Sequence, residues 1–275
     1  MKALSIRWLC LPSLLTFWAC HEPVDVKKTM PDNAAFQEQI SEVGKARIFF
    51  GHQSVGGNVL DGLNSLMDSS QPQVNVVKAG KDAALPPGPC FVHSYLGENA
   101  NPAAKIRDFA EFVNQPQSQD WNAVLLKFCF LDITRNTDVP SLFKLYQDTV
   151  ASLKQQHPGV IFIHATAPLT RADGLKAFVK KLLGKRTAEE DNIRRLEYNS
   201  LLMSAFGNEP VFDISRIEST RPDGSRESFA RSGKKYYQLA PEYTTDGGHL
   251  NAEGSRVLAV DLIHVIAEAL KRRPS

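Results

Sequence analysis

The sequence predicts an α/β fold, a single flavodoxin-like three-layer α/β/α domain with a five-stranded parallel sheet. Short apolar runs typical of buried strands alternate along the chain with segments whose apolar residues recur every three or four positions, as on one face of a helix. This alternation predicts a parallel sheet, because right-handed crossovers return each strand to the same sheet and leave the helices on its two faces. The predicted strands lie at 46–50, 74–78, 123–130, 160–164 and 210–214.

Helices are predicted between and after these strands, at 55–66, 102–113, 142–156, 188–205 and 251–270. Pro102 favours the start of the second helix, because proline is well tolerated at the first helical position. Residues 79–101 are interpreted as a long loop rich in Pro and Gly, and residues 215–245 as a second loop region. A length of 275 residues allows one large domain. Since the sequence shows no internal repeat and no second boundary, the domain is predicted to span 33–275.

The composition excludes several classes of protein. With 43% hydrophobic and 23% charged residues, the chain fits neither a collagen-like, a disordered nor a multi-span membrane protein. The 32 basic and 30 acidic residues give a formal net charge of +2, without the strong positive field of a nucleic-acid-binding protein. We therefore expect no nucleic-acid partner.

The first residues predict export from the cell. Lys2 and Arg7 precede an apolar run at 8–19, which is shorter than the about 20 residues that a transmembrane helix needs. Ala19 before Cys20 resembles a bacterial lipobox, in which the cysteine becomes lipidated and forms the mature N-terminus. We predict a signal peptide at 1–19, lipidation of Cys20, a polar tether at 20–32 and a location in the cell envelope. An ordinary cleaved signal without lipid is the alternative.

Two cysteines, Cys90 and Cys129, remain in the predicted domain. They are too few for a disulfide scaffold, and their spacing suggests no zinc site, although the sequence leaves a bond between them open. Cys129 lies in a predicted apolar strand, which favours a buried and unreactive thiol.

The first candidate site is the turn at 51–57, between the first strand and the first helix. Ligands bind parallel sheets at the carboxyl ends of the strands, where this turn lies. The hydroxyl of Ser54 would lie above the sheet there, beside N–H groups of the helix start that favour negative charge. This placement suits a nucleophile. The alternative is that Ser54 only caps the helix.

The second candidate site is the loop that begins at Asp246 and precedes the last helix. An Asp three residues before a His can return its carboxylate to the ring Nδ1, which leaves Nε2 free to accept a proton from a hydroxyl. Gly247 and Gly248 permit the tight turn that this requires. Taken alone, the pair of Asp246 and His249 could also serve only to stabilise its loop.

With these two loops, the sequence resembles the SGNH (GDSL) hydrolase superfamily over the region 46–270. The strongest match is Asp246-x-x-His249 before the last helix, followed by Leu250, Asn251 and Gly254. The resemblance implies that Ser54 is the nucleophile, His249 the general base and then acid, and Asp246 the carboxylate that orients it. It also implies catalysis without a cofactor or metal.

The first two blocks of the family pattern differ here. His52 and Gln53 precede Ser54 where the family has an Asp. His52 is interpreted as a loop residue, with positioning of the substrate as the alternative. The candidates for the family's oxyanion glycine are Gly80 and Gly97. Gly97 is preferred because a predicted helix follows its loop, as in the family.

The third block departs most. Residues 127–132 replace the family's Gly-x-Asn-Asp, and although Asp132 matches the closing Asp, the oxyanion Asn is missing. Loss of one such donor typically costs about 2.7 to 4 kcal/mol in the transition state. Asn99 is the first candidate to replace the missing Asn donor, and Lys127 is the second. The alternative for Lys127 is a strand-end charge paired with Asp132.

The resemblance implies hydrolysis of an O-acyl or O-acetyl ester, with a small-molecule or glycan ester as the substrate. Membrane contact is expected only through the N-terminal lipid. A catalytically weak binding lipoprotein and an O-acyltransferase are the alternatives. Three tyrosines upstream of Asp246 could stack on a sugar ring or serve only in packing: Tyr236, Tyr237 and Tyr243. A basic stretch after Pro168 is interpreted as a solvated amphipathic segment, with a binding patch for an anionic substrate as the alternative: Lys176, Lys180, Lys181, Lys185 and Arg186.

Overall fold

A computed structural model describes residues 33–67, 73–80, 83–115, 120–171 and 188–272. The predicted signal peptide, the tether with Cys20 and the basic stretch of 176–186 lie outside these residues. Among the described helices, none is both long and apolar enough to cross a membrane.

A parallel sheet of six strands forms the centre of the described structure, in the order β2-β3-β1-β4-β5-β6. The strands are β1 (Arg47–His52), β2 (Val76–Lys78), β3 (Cys90–Tyr95), β4 (Ala123–Leu126), β5 (Ile161–Ala165) and β6 (Val211–Phe212). The predicted three-layer α/β/α architecture is confirmed. The predicted strand number of five was wrong, because β3 lies inside the segment interpreted as a loop.

Helices cover both faces of the sheet. They are α1 (Asn33–Gly44), α2 (Ser54–Met67), α3 (Pro102–Val113), α4 (Val139–Gln156), α5 (Ala188–Phe206), α6 (Ile214–Ser219) and α7 (Ala252–Lys271). Because successive strand residues face opposite sides, Ile48 and Phe50 of β1 belong to the core with α1, α2 and α7, while Phe49 belongs to the core with α3, α4 and α5. Each β1 side chain is buried, as expected for a central strand.

An antiparallel hairpin of β7 (Ser228–Arg231) and β8 (Lys234–Tyr237) lies within the second predicted loop region. After it comes a single turn of 3-10 helix, Pro241–Tyr243, and then α7. Asn251 caps α7 by accepting a hydrogen bond from Gly254 N at 3.0 Å, so the helix begins directly after the loop that holds Asp246 and His249.

The register of the strands determines which loops meet. Gly51 of β1 pairs with Leu126 of β4, and His52 pairs with Tyr95 of β3. The loops that follow these three strands therefore meet at the carboxyl edge of the sheet.

The same register separates the two cysteines. Cys90 opens β3 at the opposite edge, paired with Arg47, whereas Cys129 follows the carboxyl end of β4. Both are buried and free, and their positions at opposite edges exclude a disulfide between them.

Candidate active site

Ser54 is the first residue of α2 and is partly exposed at the carboxyl edge of the sheet. Its Oγ has one polar neighbour among the described residues, Cys129 Sγ at 4.0 Å. The capping alternative for Ser54 is wrong, because the N–H groups of Gly56 and Gly57 donate instead to the carbonyl oxygen of Gln53. The Ser54 hydroxyl therefore makes no capping hydrogen bond to the described part of α2.

Asp246 and His249 form a tight pair before α7. Asp246 Oδ2 accepts a hydrogen bond from His249 Nδ1 at 2.7 Å, and Oδ1 accepts the backbone N–H groups of Gly248 at 2.8 Å and His249 at 2.7 Å. Gly247 makes the turn possible with φ +83°, and a Cβ there would lie 2.8 Å from Arg171 O. Within the described part of the chain, His249 Nε2 makes no hydrogen bond.

The hydrogen bonds that Asp246 accepts keep its carboxyl group ionised. Partial burial alone would raise the pKa of this carboxyl, but the His249 ring and the two backbone N–H groups outweigh burial and lower the pKa to about 2. Asp246 is therefore ionised throughout the neutral range and can stabilise a positively charged imidazolium.

The loop of His249 lies against the start of α2. Leu250 N donates to Asn58 Oδ1 at 3.2 Å, one helical turn after Ser54. The His249 ring lies edge-on to Phe130, with centroids 5.5 Å apart, and Phe130 follows the Cys129 that contacts Ser54. The structure thus brings Ser54 and the pair of Asp246 and His249 to the same edge of the sheet. No direct hydrogen bond joins Ser54 to His249 in the described residues.

Cys129 has a different environment from the one predicted. It is fully buried, as expected, but β4 ends at Leu126, so Cys129 lies in the loop after the strand. The polar Lys127 within the apolar run was the signal in the sequence that the strand ends early.

Asp132 is paired with a lysine of α3 that no local sequence signal indicates. Lys105 Nζ of α3 lies 2.6 Å from Asp132 Oδ2, with both side chains fully buried. Asp132 also accepts the backbone N–H of Ala100 at 2.9 Å and of Cys129 at 2.6 Å. The predicted alternative of a Lys127–Asp132 pair was wrong, because Lys105 occupies the carboxylate.

Lys127 is a buried cation without a hydrogen-bond partner for Nζ among the described residues. Burial lowers its pKa to about 8, and the nearby Cys129 and Asp132 oppose that shift. Since no part of Lys127 is exposed, the structure does not offer it to a substrate. This corrects the prediction that Lys127 contacts the oxyanion.

Replacement of Lys127 by Met should stabilise the fold near pH 7. The pKa of Lys127 is about 8 in the folded chain against 10.5 as the ordinary value, and at about 1.4 kcal/mol per unit the buried charge costs about 3 kcal/mol. The penalty is complete below pH 8 and fades between pH 8 and 10.5, where only the unfolded chain keeps the proton. Urea unfolding at pH 7 and pH 10 should show a gain that shrinks at the higher pH.

The exposed Lys45 is the matched control, and a Lys45→Met variant should unfold like the wild type at both pH values. A Lys127→Met variant less stable than the wild type at pH 7 would show that the ammonium has a favourable partner and that its burial is not a cost.

Gly97 adopts φ +53°, and its N–H donates to Asp108 Oδ2 at 2.9 Å. This N–H is therefore not free for an oxyanion, which corrects the predicted role of Gly97. Its neighbour Asn99 is exposed, and its Oδ1 accepts a hydrogen bond from Lys105 Nζ at 3.1 Å. Asn99 Nδ2 has no hydrogen-bond partner among the described residues and stays available as a donor. Gly80 lies two residues after the end of β2, outside these contacts.

His52 is the last residue of β1 and is 0% exposed. Its Nδ1 contacts Gln53 O at 3.0 Å, and its Nε2 contacts His93 Nδ1 at 3.0 Å. Burial lowers the pKa of His52 to about 3, although the hydrogen bond to Gln53 opposes the shift. The interpretation of His52 as a loop residue was wrong, because it belongs to β1. Both ring nitrogens contact protein groups, so the ring offers a substrate no free hydrogen-bonding atom. The contact of His93 with His52 was not predicted, because strand β3 was missed.

The three tyrosines upstream of Asp246 have protein partners. Tyr243 is fully buried and packs in the core, which corrects a stacking role for it. Tyr236 stacks on Phe229 with centroids 5.6 Å apart, and Arg226 lies 3.5 Å above the Tyr237 ring. The described residues contain no group of three or more His, Cys, Asp and Glu side chains that could hold a metal ion.

No protein-family model matches the sequence, and no curated protein matches it. Solved structures do match. A peptidoglycan O-acetylesterase has 9% identity over 86% of this chain and 96% of that chain, with a TM-score of 0.52. A carbohydrate esterase of family 3 from Talaromyces cellulolyticus has 12% identity over 82% and 97%, with a TM-score of 0.46.

The periplasmic domain of a lipopolysaccharide acetyltransferase from Salmonella ser. Paratyphi A has 16% identity over 86% of this chain and 89% of that chain, with a TM-score of 0.45. At such low identities a structural likeness shows a fold and not an activity. The chain has the three-layer α/β/α fold of the SGNH (GDSL) hydrolases.

Proposed function

We propose that the protein is a serine hydrolase that cleaves O-acyl or O-acetyl esters through Ser54, His249 and Asp246. The observation that supports this most is the orientation of His249. Asp246 Oδ2 can only accept a hydrogen bond, so Nδ1 of His249 carries a proton and Nε2 carries the lone pair of a base. This base lies on the loop that is bonded to α2 one turn after Ser54.

In the proposed reaction, Ser54 Oγ attacks the ester carbonyl while His249 Nε2 accepts the hydroxyl proton. The backbone N–H of Ser54, among the first N–H groups of α2 that lack an acceptor within the helix, stabilises the oxyanion. Asn99 Nδ2 is the proposed second donor. The loop of Asn99 is fixed beside the nucleophile, since Gln53 Nε2 donates to Leu96 O at 2.9 Å and to Gly97 O at 2.8 Å.

The tetrahedral intermediate then collapses, the C–O bond to the alcohol breaks, and the leaving oxygen takes its proton from His249. Water attacks the resulting Ser54 ester in the reverse sense, with His249 again as the base, and releases the acid. Esters are favoured over amides, because an alkoxide leaves with less help from protonation. An O-acetylated glycan is the first substrate to assay, since a structure of the same fold is a peptidoglycan O-acetylesterase.

The decisive experiment is labelling with a fluorophosphonate, followed by mapping of the adduct by mass spectrometry. We expect one adduct, on Ser54, in a protein that also hydrolyses a small acetyl ester. Cys129 must be resolved from Ser54 in the mapping, because its Sγ lies only 4.0 Å from Ser54 Oγ. The absence of both adduct and hydrolysis would contradict the proposal and favour a binding protein.

Repeating the hydrolysis with an acceptor alcohol separates hydrolase from acyltransferase. A hydrolase releases the free acid whether or not the alcohol is present, whereas a transferase forms the new ester.

Export and lipidation at Cys20 are also proposed, on the sequence alone. The mass of the mature N-terminal peptide tests this proposal. Diacylglycerol on Cys20 is expected, and a cleaved but unmodified N-terminus would exclude lipidation and indicate an ordinary export signal.

A further inference from the structure

The peptide bond before the nucleophile carries an unusual set of hydrogen bonds. Gln53 O accepts from Gly56 N at 2.7 Å, from Gly57 N at 3.4 Å and from the ring of His52 at 3.0 Å. The N–H of the same peptide unit belongs to Ser54. Whatever polarises the Gln53 carbonyl therefore also affects the donor that the proposed mechanism uses for the oxyanion.

The Gln53 carbonyl oxygen determines which nitrogen of each histidine carries a proton. A carbonyl oxygen only accepts, so His52 Nδ1 carries a proton toward Gln53 O. In the neutral ring His52 Nε2 then has no proton and accepts a hydrogen bond, which His93 Nδ1 donates across 3.0 Å. The result is one directional series of hydrogen bonds from His93 through His52 to Gln53.

We propose that His52 and His93 are positioning residues that strengthen the Ser54 N–H as an oxyanion donor, an inference that rests on the proposed function. A hydrogen bond to an amide carbonyl pulls electron density toward the oxygen and makes the N–H of that amide a stronger donor, by about 10–30% per bond. Three donors on one carbonyl add their effects. This support offsets part of the loss of the family's Asn donor.

The packing holds this arrangement in place. His52 is fully buried, and its ring lies on Phe50 with centroids 4.8 Å apart. A Cβ on Gly56 would lie 2.4 Å from His52 Cβ, so the first turn of α2 lies directly against the imidazole. Burial lowers the pKa of both His52 and His93, with Lys78 contributing at His93, which keeps the two rings neutral as the bond between them requires.

The test compares His52→Leu with His52→Asn. Leucine removes the donor at similar volume, whereas asparagine keeps an N–H at the same number of bonds from Cα as Nδ1. On a small acetyl ester, His52→Leu is expected to lower kcat about tenfold with KM unchanged, a fraction of the 10²- to 10³-fold loss of a whole donor. His52→Asn should restore most of kcat. His157, a partly exposed residue whose Nε2 contacts Asn114 Oδ1 at 2.7 Å, supplies the control His157→Leu.

A second measurement does not depend on activity. The ¹⁵N resonances of the wild-type imidazoles should show a protonated Nδ1 and an unprotonated Nε2 for His52. If His52→Leu fails to fold, the ¹⁵N spectrum of the wild type still tests the inference. The variant His93→Phe then replaces His52→Leu in the kinetic test, and we expect it to lower kcat about threefold.

The outcomes separate the inference from the function on which it rests. An acetyl ester hydrolysed equally well by the wild type and Ser54→Ala would overturn both. Hydrolysis that needs Ser54 but is unchanged in His52→Leu, or an unprotonated His52 Nδ1, would overturn the inference alone. An equal loss of kcat in His52→Leu and His52→Asn would also overturn it, since that pattern indicates packing and not hydrogen bonding.

Discussion

Replacement of Ser54 by Ala is expected to lower kcat for ester hydrolysis by about 10⁶-fold, the order of loss found when a serine nucleophile is removed. Stability should hardly change, because among the described residues Ser54 Oγ makes no capping hydrogen bond and has only the 4.0 Å contact with Cys129 Sγ. A true N-cap would instead cost about 1 kcal/mol on replacement by Ala. Hydrolysis of a small acetyl ester and urea unfolding of the same preparation measure the two effects.

Ser65→Ala is the matched control, because Ser65 belongs to the same helix, is exposed and donates a hydrogen bond to Gly62 O within that helix. It should retain full activity. The result that would contradict this assignment involves the neighbouring thiol of Cys129. If Ser54→Ala keeps more than a few per cent of the wild-type rate and loses it when Cys129 is also replaced by Ala, then Cys129 and not Ser54 is the nucleophile.

The fold could be predicted where local signals agree with tertiary structure. The sequence predicted α3 at its observed bounds, because Pro102 begins it and Asn101 caps it by accepting the N–H of Ala104 at 3.1 Å. Strand β3 was missed because its three apolar residues are followed by the polar His93 and Ser94 and by Tyr95, which is 50% exposed. An apolar run indicates burial, not strand pairing, which is why β4 ends four residues before the predicted bound.

The site could be predicted where its partners are near in sequence. Asp246 and His249 are three residues apart, and the predicted contact between them is present at 2.7 Å. The roles given to Gly97 and Lys127 depended on distant partners. Asp108 takes the Gly97 N–H from 11 residues away, and Lys105 takes Asp132 from 27 residues away. Such competition for one carboxylate depends on how α3 packs, and local spacing carries no signal of it.

Replacement of Asp246 by Asn is expected to lower kcat by about 10³- to 10⁴-fold, although the change is isosteric. Asp246 Oδ1 accepts two backbone N–H groups, at 2.8 and 2.7 Å, so the amide oxygen of Asn should take that position. The amide NH₂ then faces His249 Nδ1, which must become an acceptor. The ring proton moves to Nε2, and the atom that should accept the Ser54 proton no longer has a lone pair.

The pH dependence separates this mechanism from a simple loss of charge. The pKa of Asp246 is lowered to about 2, so any stability that its charge contributes is present above about pH 4 and is lost only as the pH falls toward 2. The defect of Asp246→Asn should therefore persist at every pH from 5 to 9. Asp223→Asn is the control, since Asp223 also accepts a backbone N–H, from Ser225 at 2.9 Å, on an exposed loop. Recovery of Asp246→Asn to within tenfold of the wild type at pH 9 would show that the carboxylate acts only through its charge on the imidazolium, and that the tautomer of His249 does not depend on it.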